Sequence, residues 1–582
     1  MTTQALSPAR PLALALALAL VSPLATASDD DGVTERVSLG AGGVQGNANS
    51  GTGIGSAVAL SGNGRYAVFV SAATNLVPGD TNGQADIFIH DRDTDTISRV
   101  SVATGGGQAN GPSTHPRISL TGTFVVFQST ATNLVAGDTN GWSDVFRHNR
   151  LTGTTELVST TGSGPGNGNS ESPTISDFGR YVAFWSAASD LVAGDSNATG
   201  DCFVRDMILG ITTRVSVQSG GGGQGNGNSR SPSISPDGRY VVFSTAANNL
   251  AGFDGNGHDD VLIHDRTLLT TLRVGSSPNW DGGSDEPVVS EDGLFVAFES
   301  DATNIVANDT NGLKDVFVHD RSTNLTRRVS QNAGIGGDGE SRQPAITADG
   351  RFIAYRSFAE NLAPGNNGWE DIFVHDRTTF TNAVVSLDQN GNPANGLSGH
   401  PSISEDGAFV AFVSFASDLV PGDSNAHSDV FVRLCFAPEP EIYCDTSDNS
   451  LGCVPSIIYA GTPSATAGNG FILRAVEVLN NQFGIMFYGI DGAAAIPFGF
   501  GTVCVAPPHI RTAVQNSQGS PPPAADCSGV FVLDFNERIA SGVDATLVVG
   551  QKVWAQFWSR DPGYAPPNGT SLTNGIAFTI GP

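Results

Sequence analysis

The strongest constraint on the fold is a segment of approximate pattern D-[IV]-F-[IV]-H-D-R that recurs seven times, at intervals of 55 to 59 residues. A turn of the S-P-D-G-R type precedes each copy, and a short R-V-S type segment follows it. A repeat of this length indicates one supersecondary unit that stacks against its neighbours. The leading aspartates are Asp86, Asp144, Asp201, Asp260, Asp315, Asp371 and Asp429.

Each repeat contains four predicted β-strands separated by turn signals, and none shows a helical period. The second strand carries two aromatic residues three positions apart, as at Tyr66 and Phe69. An odd separation places them on opposite faces of the strand, so both faces are expected to be buried. A β-sandwich would leave one face polar. The pattern therefore predicts an all-β fold of four-stranded sheets stacked around an axis, which is a β-propeller.

The R-V-S type segments predict how the ring closes. There are seven, but the first, at Arg36, precedes the first repeat, and the last repeat, which ends near Arg433, has none after it. We expect residues 34–39 to complete the seventh sheet, because an open array would leave one sheet edge unprotected. The predicted seven-bladed propeller spans residues 28–433.

Two segments carry a resemblance to a known family. The turn and strand SPDGRYVVFS from Ser235 to Ser244, together with DVFVHDR from Asp315 to Arg321, resemble the TolB-type, WD-like propeller repeats of exported bacterial proteins. The resemblance covers roughly residues 34–433. It implies a fold and not a function, because the family includes periplasmic scaffold proteins and the propeller parts of peptidases.

Residues 1–27 have the features of a signal peptide. Arg10 supplies a positive charge, an apolar run follows from Pro11 to Leu24, and Ala25-Thr26-Ala27 matches a small-x-small cleavage site. The alternative is an uncleaved membrane anchor, but the run is shorter than the roughly 20 residues that span a bilayer. We expect an exported protein, extracellular or in the periplasm and cell envelope, with no transmembrane segment after residue 27.

The charge balance excludes one class of partner. The chain has 57 acidic and 29 basic residues and a net charge of -28. Nucleic-acid binding needs a basic face that contacts phosphates, so a nucleic-acid partner is not expected.

The long loops between the second and third strands carry the motif D-x-N-G-x-x-D. Closely spaced side-chain oxygens around a glycine turn suit Ca²⁺, the only cofactor that the sequence suggests. Alternatively, Asp and Asn cap turns by bonding their own backbone. We favour turn capping, because the motif recurs in nearly every repeat. The candidate residues are Asp80, Asn82, Asp86, Asp138, Asn140, Asp144, Asp309, Asn311 and Asp315.

The H-D-R triplets that begin at His90, His264, His319 and His375 are interpreted as a repeated structural contact, since one active site needs one constellation. No nucleophile elbow, zinc-protease motif or Walker loop occurs in the sequence.

Composition changes after Arg433. Residues 434–453 are predicted to be a cysteine-bearing linker, and residues 454–582 a smaller β-sandwich. The segment YCDTSDNSLGCVPSI from Tyr443 resembles a C-terminal module of exported bacterial proteins. Disulfides are expected in an exported chain. Although sequence alone does not determine connectivity, we expect the pairs Cys444–Cys453 and Cys504–Cys527, with Cys435 left over and Cys202 a buried thiol.

Our leading hypothesis for function is a non-enzymatic binding or scaffold propeller that recognises a protein, peptide or glycan through its Asn/Asp/Gly-rich rim. One alternative is a carbohydrate-active or other hydrolytic enzyme that uses rim carboxylates. Another is a structural protein of the cell envelope.

Overall fold

The fold was analysed in a computed structural model of the chain. It describes residues 34–581 except 52–56, 253, 276–278, 436–440, 444–448, 461–462, 466, 469, 499–500, 519–525, 550 and 564–569. The predicted signal peptide, residues 1–27, lies outside the described residues. The described chain is nearly all β, and its one helix is Phe535–Ala540.

Seven four-stranded antiparallel sheets follow one another along residues 34–434, and we call them blades 1 to 7 with strands A to D. Strands A span Val58–Leu60, Ser113–Ile118, Ser170–Ile175, Ser229–Ile234, Ser284–Val289, Ser341–Ile346 and Ser398–Ile403. Strands B span Tyr66–Ser71, Phe124–Ser129, Tyr181–Ser186, Tyr240–Thr245, Phe295–Ser300, Phe352–Ser357 and Phe409–Ser414. Strands C span Asp86–Asp91, Asp144–Asn149, Asp201–Asp206, Asp260–Asp265, Asp315–Asp320, Asp371–Asp376 and Asp429–Leu434. Strands D span Thr96–Arg99, Thr154–Leu157, Ile211–Arg214, Thr270–Arg273, Leu325–Arg328, Thr381–Val384 and, for blade 7, Thr34–Arg36.

The blades form a closed ring. Strand Thr34–Arg36 pairs with strand C of blade 7, with Arg36 opposite Phe431. Strand B of each blade contacts strand A of the next, and strand B of blade 7 contacts strand A of blade 1. Strands A also contact one another around the ring, so they are innermost. The all-β class and the β-propeller fold predicted from the repeats are thus confirmed.

The two aromatic positions of strand B bury opposite faces of each sheet, as predicted. The second aromatic, such as Phe69, is fully buried and stacks on a strand C residue of its own sheet, with ring centroids of Phe69 and Phe88 6.1 Å apart. The first aromatic faces the next blade. Burial of each such ring contributes about 2–3 kcal/mol of hydrophobic stabilisation.

The turn between strands A and B requires a glycine, because this residue packs against an aromatic ring of the preceding blade. Ser235 donates a hydrogen bond to Asp237 (2.6 Å), and Gly238 follows with φ of +76°. A Cβ at Gly238 would lie 2.2 Å from the Tyr181 ring of the preceding blade. Any side chain at this position would therefore separate two blades as well as strain the turn.

Two short hairpins lie outside the four-stranded sheets of the blades. All other described strands outside the blades follow blade 7 in the chain. The hairpins pair Leu39–Gly40 with Val44–Gln45 and Gln331–Asn332 with Ile335–Gly336. The C-terminal strands are Glu441–Tyr443, Ser456–Ala460, Ile472–Val478, Phe483–Gly489, Ala493–Phe498, Gly501–Val505, Ile510–Arg511, Gln515–Asn516, Gly529–Asp534, Lys552–Arg560, Thr570–Leu572 and Gly575–Thr579.

The C-terminal strands form a seven-stranded, a three-stranded and a two-stranded sheet. The two larger sheets share one hydrophobic core, which includes Leu473, Phe531 and Phe557. Strand Glu441–Tyr443 pairs with Gly575–Thr579, so part of the segment expected to be a linker belongs to the large sheet.

The expected disulfide pairing is wrong. Cys453 is bonded to Cys527, with Cα atoms 6.4 Å apart. These cysteines directly precede strands Ser456–Ala460 and Gly529–Asp534, which flank strand Ile472–Val478 on either side and both run antiparallel to it. The starts of the two outer strands therefore lie at the same end of the sheet, which brings Cys453 and Cys527 together although they are far apart in the sequence.

The other four cysteines have different environments. Cys504 is also disulfide-bonded, and Cys444 lies outside the described residues. Cys202 is buried in strand C of blade 3, as expected, and neither Cys202 nor Cys435 is in a disulfide.

Candidate functional site

The D-x-N-G loops lie on the rim that carries the D–A and B–C connections, and their hydrogen bonds repeat from blade to blade. Asn140 Oδ1 accepts from the backbone N–H of Trp142 (2.9 Å), while Asn140 Nδ2 donates to Asp144 Oδ2 (2.8 Å) and to the Gly166 carbonyl (3.0 Å). Asn82 and Asn311 make the equivalent bonds in blades 1 and 5. In this geometry the amide groups of the asparagines brace the loops.

The last aspartate of each motif starts strand C and is held by a serine. Asp144 Oδ1 accepts from Ser159 Oγ at 2.6 Å. The same distance joins Asp86 to Ser101 and Asp315 to Ser330. These aspartates therefore tie strand C to the segment after strand D in their own blade.

An arginine from strand D lies between the two aspartates of the loop in five blades. Arg328 Nη1 in blade 5 is 3.2 Å from Asp309 Oδ1 and 3.3 Å from Asp315 Oδ2. In blade 1, Arg99 bridges Asp80 and Asp86 in the same way. The equivalent arginines in blades 3, 4 and 7 are Arg214, Arg273 and Arg36. In these blades a guanidinium thus provides a counter-charge between the two loop carboxylates.

Blades 2 and 6 lack this arginine and carry Leu157 and Val384 instead. Blade 6 also has Asn366 in place of the first aspartate. Burial raises the pKa of Asp144 to about 6 and that of Asp371, in blade 6, to about 7. The two loop aspartates whose pKa is raised most strongly are thus those of the blades that lack the arginine.

The H-D-R triplets are structural contacts, as interpreted from their repetition. His264 Nδ1 hydrogen-bonds to Thr271 Oγ1 across the C–D hairpin (2.9 Å). Asp265 pairs with Arg239 of the A–B turn (2.7 Å), and Arg266 lies 4.2 Å from the ring centre of Tyr181 in the preceding blade. Each residue of the triplet thus fixes a different neighbour.

The innermost strands break the symmetry that the rim loops keep. We call the second position of strand A, the fifth position of strand B and the residue before strand C the channel mouth. These positions lie at the rim end of strand A, which is innermost, and of the two strands that follow it in the sheet. From blade 2 to blade 7 they are Thr114, Gln128, Ser143, Glu171, Trp185, Gly200, Arg230, Ser244, Asp259, Asp285, Glu299, Lys314, Arg342, Arg356, Glu370, Gly399, Val413 and Ser428.

Charge is concentrated in blades 4 to 6 of the mouth. Arg230 Nη2 contacts Asp259 (2.5 Å) in its own blade and Asp285 (2.8 Å) in the next. In blade 5, Lys314 pairs with Glu299 (2.6 Å). In blade 6, Arg356 pairs with Glu370 at the same distance. Several of these side chains are half-buried, and the pairs form a charged arc across three adjacent blades of the mouth.

The opposite side of the mouth is less charged. Trp185 of blade 3 is half-buried and donates from Nε1 to Asn228 Oδ1 (3.4 Å). Blade 7 contributes only Gly399, Val413 and Ser428. A ligand at the mouth would therefore meet ion pairs on one side and aromatic or small side chains on the other.

Just below the mouth, strand A bulges at a residue that precedes proline. His115, Glu286 and His400 occupy this position with φ between +49° and +55°. Burial, together with nearby Arg117 and His400, lowers the pKa of His115 to about 4. Burial raises the pKa of Glu286, and Arg117 opposes the shift. Groups from blades 2, 5 and 7 thus interact across the channel.

The opposite end of the channel, which we call the floor, is formed by the A–B turns. The backbone N–H of Glu405 donates to Gly62 O (3.0 Å), which links blade 7 to blade 1. Burial, with Asp177 and Glu291 nearby, raises the pKa of Glu405 to about 8. Three carboxyls from blades 3, 5 and 7 therefore interact at the floor.

Sequence reasoning placed the candidate residues in the rim loops and missed the mouth. The missed signal lies in the repeats themselves: at the second position of strand A the sequence changes from Glu171 to Arg230 to Asp285 while the flanking residues stay similar. A position whose charge changes between repeats that otherwise keep their sequence pattern is under no common structural demand, so it is free to serve recognition.

The part of the chain that the structure describes has neither a membrane-spanning helix nor a cluster of metal ligands. No helix there combines the length and apolar character needed to cross a bilayer. No three His, Cys, Asp or Glu side chains are grouped there as metal ligands.

Comparison with known proteins found similarity in fold. No protein-family model and no curated protein sequence matches the chain. A putative TolB from Agrobacterium tumefaciens is 14% identical with a TM-score of 0.34, over 60% of this chain and 97% of that one. An oligogalacturonate lyase in complex with manganese is 10% identical with a TM-score of 0.44, over 70% and 94%.

The β-propeller domain of the Trilobed protease from Pyrococcus furiosus is 13% identical with a TM-score of 0.34, over 52% of this chain and 78% of that one. At these identities and scores, similarity of fold does not extend to function. The chain is similar to TolB-like β-propellers.

Proposed function

We propose that the chain is an exported, non-enzymatic binding propeller that holds a polypeptide segment at the channel mouth. The observation that supports this is the contrast between rim and mouth. The rim loops repeat the same hydrogen bonds in nearly every blade, whereas the mouth presents a different side chain in almost every blade. A specific site on a repeat protein requires such a departure from symmetry.

The chemistry of the mouth favours a peptide over a neutral glycan. Arg230, Lys314 and Arg356 are held by carboxylates, so their orientation is fixed before a ligand arrives. Preorganised charges of both signs suit the charged termini and side chains of a polypeptide, and the indole of Trp185 suits an apolar side chain. Export is supported by the Cys453–Cys527 disulfide.

The test is selection of ligands with a displayed library of short random peptides, with a glycan array measured in parallel. Selected peptides should bind the purified wild-type protein. The substitution Arg230→Ala or Arg356→Ala should reduce their affinity about tenfold or more. The matched control is Arg327→Ala, which removes an exposed arginine from the outer strand of blade 5 and should leave affinity unchanged.

Other outcomes have defined meanings. Binding that is equally sensitive to Arg327→Ala would contradict a site at the mouth. Glycan binding without peptide binding would favour the glycan alternative. Cleavage of a bound peptide or oligosaccharide would show an enzyme.

A further inference from the structure

Blade 2 has an imbalance of charge that the other described blades avoid. Blades 1, 3, 4, 5 and 7 place an arginine between the two loop aspartates, and blade 6 has neither that arginine nor the first aspartate. Blade 2 keeps Asp138 and Asp144 but has Leu157 at the arginine position.

Both carboxylates are buried. Asp138 is 5% exposed and Asp144 is fully buried. Asp144 accepts hydrogen bonds from Ser159 and Asn140, but Asp138 Oδ1 accepts none from the residues that the structure describes. No basic side chain forms an ion pair with either residue in the described part of the chain.

In other blades the equivalent oxygen lies beside the arginine. Asp309 Oδ1 in blade 5 also accepts no hydrogen bond among the described residues, but it is 3.2 Å from Arg328 Nη1. In blade 3, Asp195 Oδ1 is 3.1 Å from Arg214 Nη1. Two buried carboxylates with no counter-charge are costly, so a cation or a proton must compensate them.

We propose that blade 2 binds a calcium ion between Asp138 and Asp144, at the position that an arginine guanidinium occupies in five other blades. A divalent ion at this position supplies to both carboxylates the counter-charge that an arginine supplies in those five blades. Ca²⁺ accepts 6–8 oxygen ligands in flexible geometry, including backbone carbonyls and water. Asn140 is not a ligand, because its amide N–H groups face Asp144 and Gly166. The calcium hypothesis for the rim loops thereby narrows to one blade.

The direct test uses Tb³⁺ as a calcium substitute. Trp142 lies two residues before Asp144 and is 49% exposed, so its indole can sensitise terbium emission from this site. Titration of the full chain should give saturable emission that Ca²⁺ displaces, and calorimetry with Ca²⁺ should give one site. Thermal unfolding should move to higher temperature with Ca²⁺ than with EDTA.

Two variants should abolish or weaken the calcium site, one by adding a competing positive charge and one by removing a carboxylate. Leu157→Arg supplies the guanidinium found in other blades, so it should abolish terbium emission and make the melting temperature insensitive to Ca²⁺. Asp138→Asn reproduces the amide that blade 6 carries at Asn366 and should weaken Ca²⁺ binding about tenfold or more. The matched control is Val384→Arg in blade 6, which should leave calcium binding unchanged.

Three results would overturn the proposal. These are a wild-type protein whose unfolding and calorimetry do not respond to Ca²⁺, terbium emission that persists in Leu157→Arg, and emission that persists in Asp138→Asn. Because Asp138→Asn preserves side-chain shape, it keeps the test decisive if the larger arginine disturbs folding.

Discussion

The guanidinium of Arg92 lies 4.2 Å from the ring centre of Phe409, across the junction where blade 1 meets blade 7. Arg92 Nη1 also donates to the Gly64 carbonyl (2.5 Å), and Arg92 pairs with Glu35 of the closing strand Thr34–Arg36. One side chain thus joins the first blade, the last blade and the N-terminal strand that completes the ring.

Replacement of Arg92 by methionine should destabilise the propeller by about 3 kcal/mol, the sum of about 2 kcal/mol for a desolvated cation–π contact and about 1 kcal/mol for a hydrogen bond. Urea unfolding monitored by circular dichroism measures this loss. The control is Arg327→Met, because Arg327 stacks on Phe380 at the surface, where such a contact contributes about 0.5–1 kcal/mol. Equal losses in the two variants would contradict a special role for the closing junction.

The buried arginine of blade 5 gives a second prediction. Arg328→Leu copies Leu157 of blade 2 and leaves Asp309 and Asp315 without a counter-charge. Because a broken buried ion pair leaves an uncompensated charge, we expect a loss of about 3–5 kcal/mol in urea unfolding.

The double variant Arg328→Leu/Asp309→Asn is the matched control. It reproduces the combination of apolar side chain and amide that blade 6 carries at Val384 and Asn366. Removal of the second carboxylate should recover most of the stability, which makes the two substitutions strongly non-additive. A double variant less stable than the single one would show that the guanidinium acts through packing and not through charge.

The fold was predictable because its determinants recur. The strand B pattern at Tyr66 and Phe69 appears seven times with the same spacing, and Arg36 before the first repeat identified the strand that closes the ring. Pairing of Cys453 with Cys527 was not predictable, because it depends on which strands flank Ile472–Val478 in a sheet whose order no repeat encodes.

The candidate site was less predictable for the same reason. Motif reasoning selects what is repeated, and here the repeated Asn140 and its equivalents brace loops. Residues such as Trp185 and Lys314 at the mouth occur once each, and only the ring brings them to a common opening.

The disulfide gives a third prediction. Cys453 and Cys527 are 74 residues apart, so their bond restricts a long loop of the unfolded chain. Cys453→Ser/Cys527→Ser should lower the unfolding free energy of the C-terminal sheets by about 2–4 kcal/mol. Calorimetry should show that transition shifted and the propeller transition unchanged. The contrasting variant is Cys202→Ala, which removes a buried thiol from blade 3 and should shift only the propeller transition. A shift of both transitions by the double variant would contradict the prediction.

The carboxyls of the channel floor predict how stability changes with pH. Burial and the neighbouring Asp177 raise the pKa of Glu405 from 4.5 to about 8. The folded protein therefore binds a proton that the unfolded chain releases, so this contribution to stability is fully present below about pH 4.5 and is lost as pH rises towards about 8. The melting temperature should fall across this range.

Glu405→Gln removes the titrating group and keeps an amide of similar size, so its melting temperature should depend less on pH and exceed that of the wild-type protein at pH 8. Glu360→Gln, at an exposed position of blade 6, serves as the control and should follow the wild-type curve. Thermal unfolding of the three proteins between pH 5 and pH 9 measures the difference. Parallel curves for Glu405→Gln and the wild type would mean that Glu405 is ionised in the folded ring and that the floor tolerates the negative charges of all three carboxylates.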